Sequence, residues 1–136
     1  METVMGFDYG RKRIGVAIGQ TLTLDARGLD TVANRGGKPD WDHIQRLVNE
    51  WQPQRLIVGL PFNMDDSEQT ITEEARRFGR RLEGRHRIPV ETVDERLSSR
   101  EAWREMIDQG QRPDTIRKHI DAEAARIILH TWFETR

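Results

Sequence analysis

Two strand-like apolar runs, Val4–Tyr9 and Ile14–Gly19, are joined by only four residues, Gly10-Arg11-Lys12-Arg13. A connection that short implies an antiparallel hairpin. In the second run Ile14, Val16 and Ile18 alternate with Gly15, Ala17 and Gly19, which is the period of a strand. The first run carries a carboxylate, Asp8, inside an otherwise apolar stretch. A buried unpaired charge costs several kcal/mol, on the order of the penalty for leaving any buried ion without a partner. Something must therefore neutralise Asp8.

The rest of the chain alternates. Leu24–Val32 reads as a third strand, and Asn34–Pro39 as a loop. Asp40 is a good N-cap for a helix over Trp41–Trp51, with Ile44, Leu47, Val48 and Trp51 as its apolar stripe. Arg55–Leu60 reads as a buried central strand ended by Pro61. A helix over Ser67–Glu83 follows, with Ile71, Ala75, Phe78 and Leu82 on one face. Ile88–Val93 is the next strand, Ser98 caps a helix over Ser99–Gln109, and a final helix runs from about Asp121 to Glu134. Strands followed by alternating helices and strands predict an α/β fold, a mixed five-stranded sheet with helices on both faces. A right-handed crossover from the hairpin places Arg55–Leu60 beside the first strand. At 136 residues the chain fits one domain, 1–136, around one core.

Two further acids lie at the edges of apolar segments, Glu95 after Val90–Val93 and Asp121 before the apolar stretch to Leu129. The topology brings Asp8 and Glu95 near one sheet edge, and Asp121 reaches it from the mouth of the last helix. Acids distant in sequence and adjacent in space are neutralised economically by a shared divalent cation. Simpler roles stand beside this one. Asp8 can pair with Arg11 or Arg13, Glu95 with Arg96 or Arg100, and Asp121 can be a helix N-cap. Asp94 rivals Glu95, because alternation puts the two on opposite faces and the sequence leaves open which points inward.

Composition removes several functions. There are no cysteines, which excludes disulfides, thiolate zinc sites and cysteine nucleophiles. Net charge is −1, so any nucleic-acid surface is a local patch. Arg11-Lys12-Arg13 is one basic patch. Residues 76–87 form another, six arginines against the single acid Glu83. Arg76 and Arg80 are helical neighbours there, so their charges repel unless phosphate or an acid relieves them. The alternative is a solvated face beside Glu73 and Glu74. His43, His86, His119 and His130 have no metal-ligand spacing, and Trp41, Trp51, Trp103 and Trp132 suit core or edge anchors. No apolar run approaches the roughly 18 residues needed to span a bilayer, and the N-terminus does not read as a signal peptide. A cytoplasmic protein with no membrane partner is expected.

Four segments together resemble a known family. Gly6-Phe7-Asp8-Tyr9-Gly10-Arg11-Lys12-Arg13-Ile14-Gly15-Val16-Ala17 resembles the opening signature of the YqgF/RuvX family. Val58-Gly59-Leu60-Pro61 with Asn63-Met64-Asp65 resembles its second motif, and Val93-Asp94-Glu95-Arg96-Leu97-Ser98-Ser99 its third. Asp121-x-x-Ala124-Ala125-x-x-Ile128-Leu129 resembles its fourth. They occur in the family's order over nearly the whole chain. Asp66 stands where the family usually has Gly, and Ser98-Ser99 where it often has Thr.

The resemblance implies a ribonuclease H-like fold and a nuclease maturing the 5′ end of the precursor of 16S ribosomal RNA. The family's catalytic and metal-binding acids carry over to Asp8, Glu95 and Asp121, with Mg²⁺ or Mn²⁺ as the cofactor. In the expected two-metal scheme Asp8 bridges the ions, while Glu95 and Asp121 each complete one coordination sphere. Arg11, Lys12, Arg13, Arg76, Arg80 and Arg96 are the expected nucleic-acid contacts. Partners are RNA and, in the alternative reading of a Holliday-junction resolvase, branched DNA. That alternative favours a homodimer over a monomer. Two other readings are a non-catalytic RNA-binding factor in ribosome assembly and an ATPase of the actin and sugar-kinase type. The latter needs two such lobes around its nucleotide.

Overall fold

The computed structural model describes residues 2–61, 70–94 and 113–135, the side chains of 113–119 excepted. The expected helix over Ser99–Gln109, Glu95, Arg96, Trp103, Asp66 and the serines 98 and 99 lie outside the described residues. The strands are β1 (Thr3–Tyr9), β2 (Arg13–Gln20), β3 (Asp25–Arg35), β4 (Lys38–Pro39), β5 (Arg55–Leu60) and β6 (Val90–Asp94). The helices are α1 (Trp41–Trp51), α2 (Thr70–His86) and α3 (Pro113–Glu134).

One sheet has the order β4-β3-β2-β1-β5-β6. β1 to β4 form antiparallel pairs, while β5 runs parallel to both β1 and β6. The hairpin, the central position of β5 and the crossover beside β1 are as the sequence predicts. The sheet has six strands rather than five. Gly36 and Gly37 take φ of +58° and +77° and turn the chain so that Lys38 and Pro39 pair back onto Arg35 and Asn34. A two-residue strand leaves no periodic signal, so this segment reads as a loop from sequence. β3 begins one residue late because Leu24 lies in the left-handed region, φ 59°, and closes the turn before it.

Helices cover both faces. Met5, Phe7, Tyr9, Ile14, Val16, Ile18, Leu56, Val58 and Leu60 pack against Ile44, Leu47 and Val48 of α1 and Ala75, Phe78 and Leu82 of α2. Each fully buried side chain of this size contributes about 1.5–3 kcal/mol. The Asp40 side chain accepts from the His43 amide at 3.1 Å, the N-cap that the sequence places there. On the opposite face Val4, Ala17 and Ile57 meet Ala125, Ile128, Leu129, Trp132 and Phe133 of α3.

That second face is built for close approach. A Cβ on Gly6 would sit 2.6 Å from Leu129 Cγ, and one on Gly15 would overlap the backbone carbonyl of Asp121. Glycine in the first two strands thus lets α3 lie nearly on the sheet backbone. α3 begins at Pro113, eight residues before the expected start. Proline suits the first turn of a helix, where its missing N–H goes unused. Asp121 therefore lies inside α3, and its reading as the helix N-cap is corrected.

Candidate active site

Asp8 is the sixth residue of β1, and its Cα partner across the hairpin is Gly15. Alternation along β1 sends Phe7 and Tyr9 to the face of α1 and α2, so Asp8 lies on the α3 face. The contact that brings Asp121 there is the one at Gly15. Asp8 pairs with this glycine in register, and the backbone of Asp121 rests on it. Two acids 113 positions apart in the numbering are thus held over one spot of the sheet. Asp8 is half-buried.

Asp121 is partnered. Arg13 Nε donates to its Oδ2 at 2.8 Å, with the Asp121 side chain 18% exposed and that of Arg13 51%. Arg13 opens β2 and shares the face of Gly15 and Ala17, which aims it at α3. A largely buried carboxylate needs such a partner. The turn then divides. Arg11 reaches the other way, its Nε 2.8 Å from Glu74 Oε2 on α2. Lys12 is exposed. Asn34 fixes this turn and is only 2% exposed. Its Nδ2 donates to the Gly10 carbonyl at 2.8 Å, and its backbone amide donates to that of Lys12 at 3.0 Å. From sequence Asn34 reads only as the start of a loop. A single buried amide carries no signal without its partners.

β6 places one of the two rival acids. Asp94 is the register partner of Leu60, a residue of the α1 and α2 face. Val93 packs on the α3 side. Asp94 therefore lies on the face opposite Asp8 and Asp121. Glu95, the other contender, lies outside the described residues, as does Arg96. Among the described residues no three acids or histidines gather closely enough to hold a metal.

Arg76 and Arg80, the two α2 arginines expected to contact nucleic acid, also have protein partners. Arg80 Nη2 lies 3.0 Å from Glu73 Oε1 and Arg76 Nη1 lies 3.6 Å from Glu73 Oε2. The hydrogen bond from Arg80 holds the exposed Glu73 carboxyl below the usual carboxylate range. Glu73 thereby relieves the repulsion that otherwise calls for a phosphate. His43 contacts Asp30 at 2.8 Å, away from the acids. Trp41, Trp51 and Trp132 pack against the core clusters, as anchors.

Asp8 and Asp121, the two described acids at the Gly15 spot, offer hard carboxylate oxygens, which suit Mg²⁺ or Mn²⁺ better than a soft metal. No helix among the described residues is long and apolar enough to cross a membrane.

Known proteins give an independent view. Residues 2–135 match the model of the RuvX family, described as Holliday junction resolvase. A protein of Saccharophagus degradans, provisionally named a pre-16S rRNA nuclease, is 45% identical over 132 residues, 97% of this chain and 93% of its own. A Pseudomonas aeruginosa protein with the same name is 46% identical over 132 residues, covering 97% and 92%. Among solved structures, Thermus thermophilus RuvC with a Holliday junction superposes with TM-score 0.55 and 18% identity, covering 100% of this chain and 96% of that one. The fowlpox virus resolvase with Holliday junction DNA gives TM-score 0.56 and 12% identity over 98% and 97%. At such identities the likeness is one of fold, and it is the ribonuclease H-like fold of resolvases.

Proposed function

The chain belongs to the RuvX family and is a nuclease, a hydrolase of phosphodiester bonds, and we propose that it matures the 5′ end of pre-16S ribosomal RNA with a divalent metal held by Asp8, Glu95 and Asp121. The single observation that carries the site is the meeting of Asp8 and Asp121 over Gly15. Glu95 enters the proposal by the family resemblance, and Asp94 is left out of it because it lies on the face opposite Asp8 and Asp121.

A divalent cation bound there supplies an activated water and charge stabilisation at the leaving oxygen. The chain's own groups do the rest. Asp8 and Asp121 present acceptor-only oxygens from two rigid elements. Arg13 orients the Asp121 carboxylate and keeps a cation beside the acids. Arg11 and Lys12 on the same turn, with Arg76, Arg80 and Arg96, are the proposed contacts to the phosphates of the strand. Gly10 adds no side chain beside that path. No protein nucleophile is required.

In this reading 1–136 is a single nuclease domain that acts in the cytoplasm as a monomer or homodimer. The family's description and the resolvase structures favour a second reading, cleavage of branched DNA by a two-fold dimer. The test offers purified protein a labelled pre-16S 5′ leader and a four-way DNA junction, each with Mg²⁺, Mn²⁺ or EDTA. The proposal expects metal-dependent cleavage of the RNA. Cleavage of the junction alone, or cleavage of RNA in EDTA, would contradict it.

A further inference from the structure

A cleft of about 490 Å³ lies on the other face of β1, bounded by the Gly36–Gly37 turn and α2. Tyr9 lines it, and Tyr9 is the chain neighbour of Asp8. Adjacent Cα atoms are about 3.8 Å apart, so the cleft begins at the end of β1 that carries Asp8, on the opposite face of the sheet. Its charged lining is Lys38, Arg77 and Arg81 with one acid, Glu74. Arg11 already pairs with Glu74 at 2.8 Å. The cleft is therefore strongly positive.

The two rows of arginine on α2 differ in what they have left to offer. Arg76 and Arg80 share Glu73. Arg81 lies over the Trp41 ring at 5.1 Å and donates to the Gly37 carbonyl at 3.3 Å, so its guanidinium is held in place by an apolar stack and a backbone oxygen. Neither interaction neutralises its charge. Arg85 stacks on the same ring at 4.3 Å, which sets two like charges against one indole. Arg77 and Lys38 are exposed, and their side chains have no hydrogen bond or ion pair among the described residues. The turn itself is open, for a Cβ on Gly36 or Gly37 would meet nothing within 4 Å. A cleft with fixed and free cations and a side-chain-free rim fits a polyanionic strand.

We propose that this cleft is a second binding site for the substrate strand, in which Lys38, Arg77 and Arg81 take a phosphodiester segment flanking the one cleaved. The proposal rests on the reading of the chain as a nuclease. It extends the nucleic-acid surface from the turn at Arg11 onto the Arg77 and Arg81 row of α2.

The experiment measures binding of a labelled 12-nucleotide RNA in EDTA, which separates binding from cleavage, by fluorescence anisotropy at 50 to 200 mM salt. The variant is Lys38→Ala with Arg77→Ala, two exposed side chains whose removal breaks no hydrogen bond or ion pair among the described residues. A charge-matched control, Arg46→Ala with Arg87→Ala, removes two exposed arginines that do not line the cleft. Each phosphate left without its cation lowers the slope of log affinity against log salt by about 0.7 for a single strand. The slope of the cleft variant is expected to fall by about 1.4, so its affinity changes about sevenfold less than that of wild type over this fourfold range of salt. A DNA strand of the same length should show the same fall, because the cleft meets phosphate rather than bases. Undetectable binding by wild type, a slope equal to wild type, or an equal fall in the control would overturn the proposal. Cleavage by wild type with Mn²⁺, measured separately, tests the nuclease reading: its failure with the slope change intact would leave the cleft and remove the catalysis.

Discussion

Gly15 links fold and site through a single missing side chain. It has no Cβ on the α3 face, and that gap is filled by the backbone of Asp121. Gly15→Ala pushes a methyl group into a helix backbone that cannot rotate away. Overpacking of this kind costs on the order of 1–3 kcal/mol. It also lifts Asp121 from Asp8, so cleavage should fall further than the loss of folded protein explains. Comparing the specific activity of the folded fraction with its melting temperature checks this. Full activity per folded molecule would mean that Asp121 need not rest there. Asp8 itself stands out in the sequence because an acid inside an apolar strand demands a reason. The Arg13 partner of Asp121 does not, since 108 positions separate them and nothing local connects them.

Among the elements, the central ones are legible and the margins are not. β5 and α1 occupy their predicted residues because an apolar run ended by proline and an Asp-capped amphipathic stripe are local signals. β4 is only two residues long and leaves no periodic signal, and α3 starts at Pro113, a residue that reads equally well as a break in the chain. The arginines of α2 are visible in the sequence as a cluster, but their electrostatics depend on Glu73 and Trp41. The end of α2 yields a pH test. His86 is partly buried beside Trp41, its Nε2 lacks a hydrogen-bond partner among the described residues, and burial first and Arg85 second lower its pKa below the ordinary 6.5. The unfolded chain then takes up the proton first. The stability linked to His86 is complete above pH 6.5 and is lost as pH falls through the lower folded value. His86→Gln should flatten the decline of melting temperature between about pH 7 and 5.5, the range in which an ordinary histidine titrates. An unchanged decline would show that the ring protonates freely in the fold.

Across the whole molecule, the sheet divides the work between its faces. One face buries the larger core against α1 and α2, and the other uses glycine and alanine to bring α3 close enough to carry an acid. In the proposed reading, substrate passes the edge where β1 and β5 end. The proposed role of Asp8 in metal-dependent phosphodiester hydrolysis is decided by cleavage of a labelled pre-16S leader by wild type and Asp8→Asn in Mn²⁺. Loss of a metal-binding acid removes several kcal/mol of transition-state stabilisation, so the variant should be slower on the order of a thousandfold. Its cooperative melting in EDTA should persist, because the substitution is isosteric and removes a charge from an acidic site. Asp8→Asn that stays folded and cleaves at the wild-type rate would contradict that role.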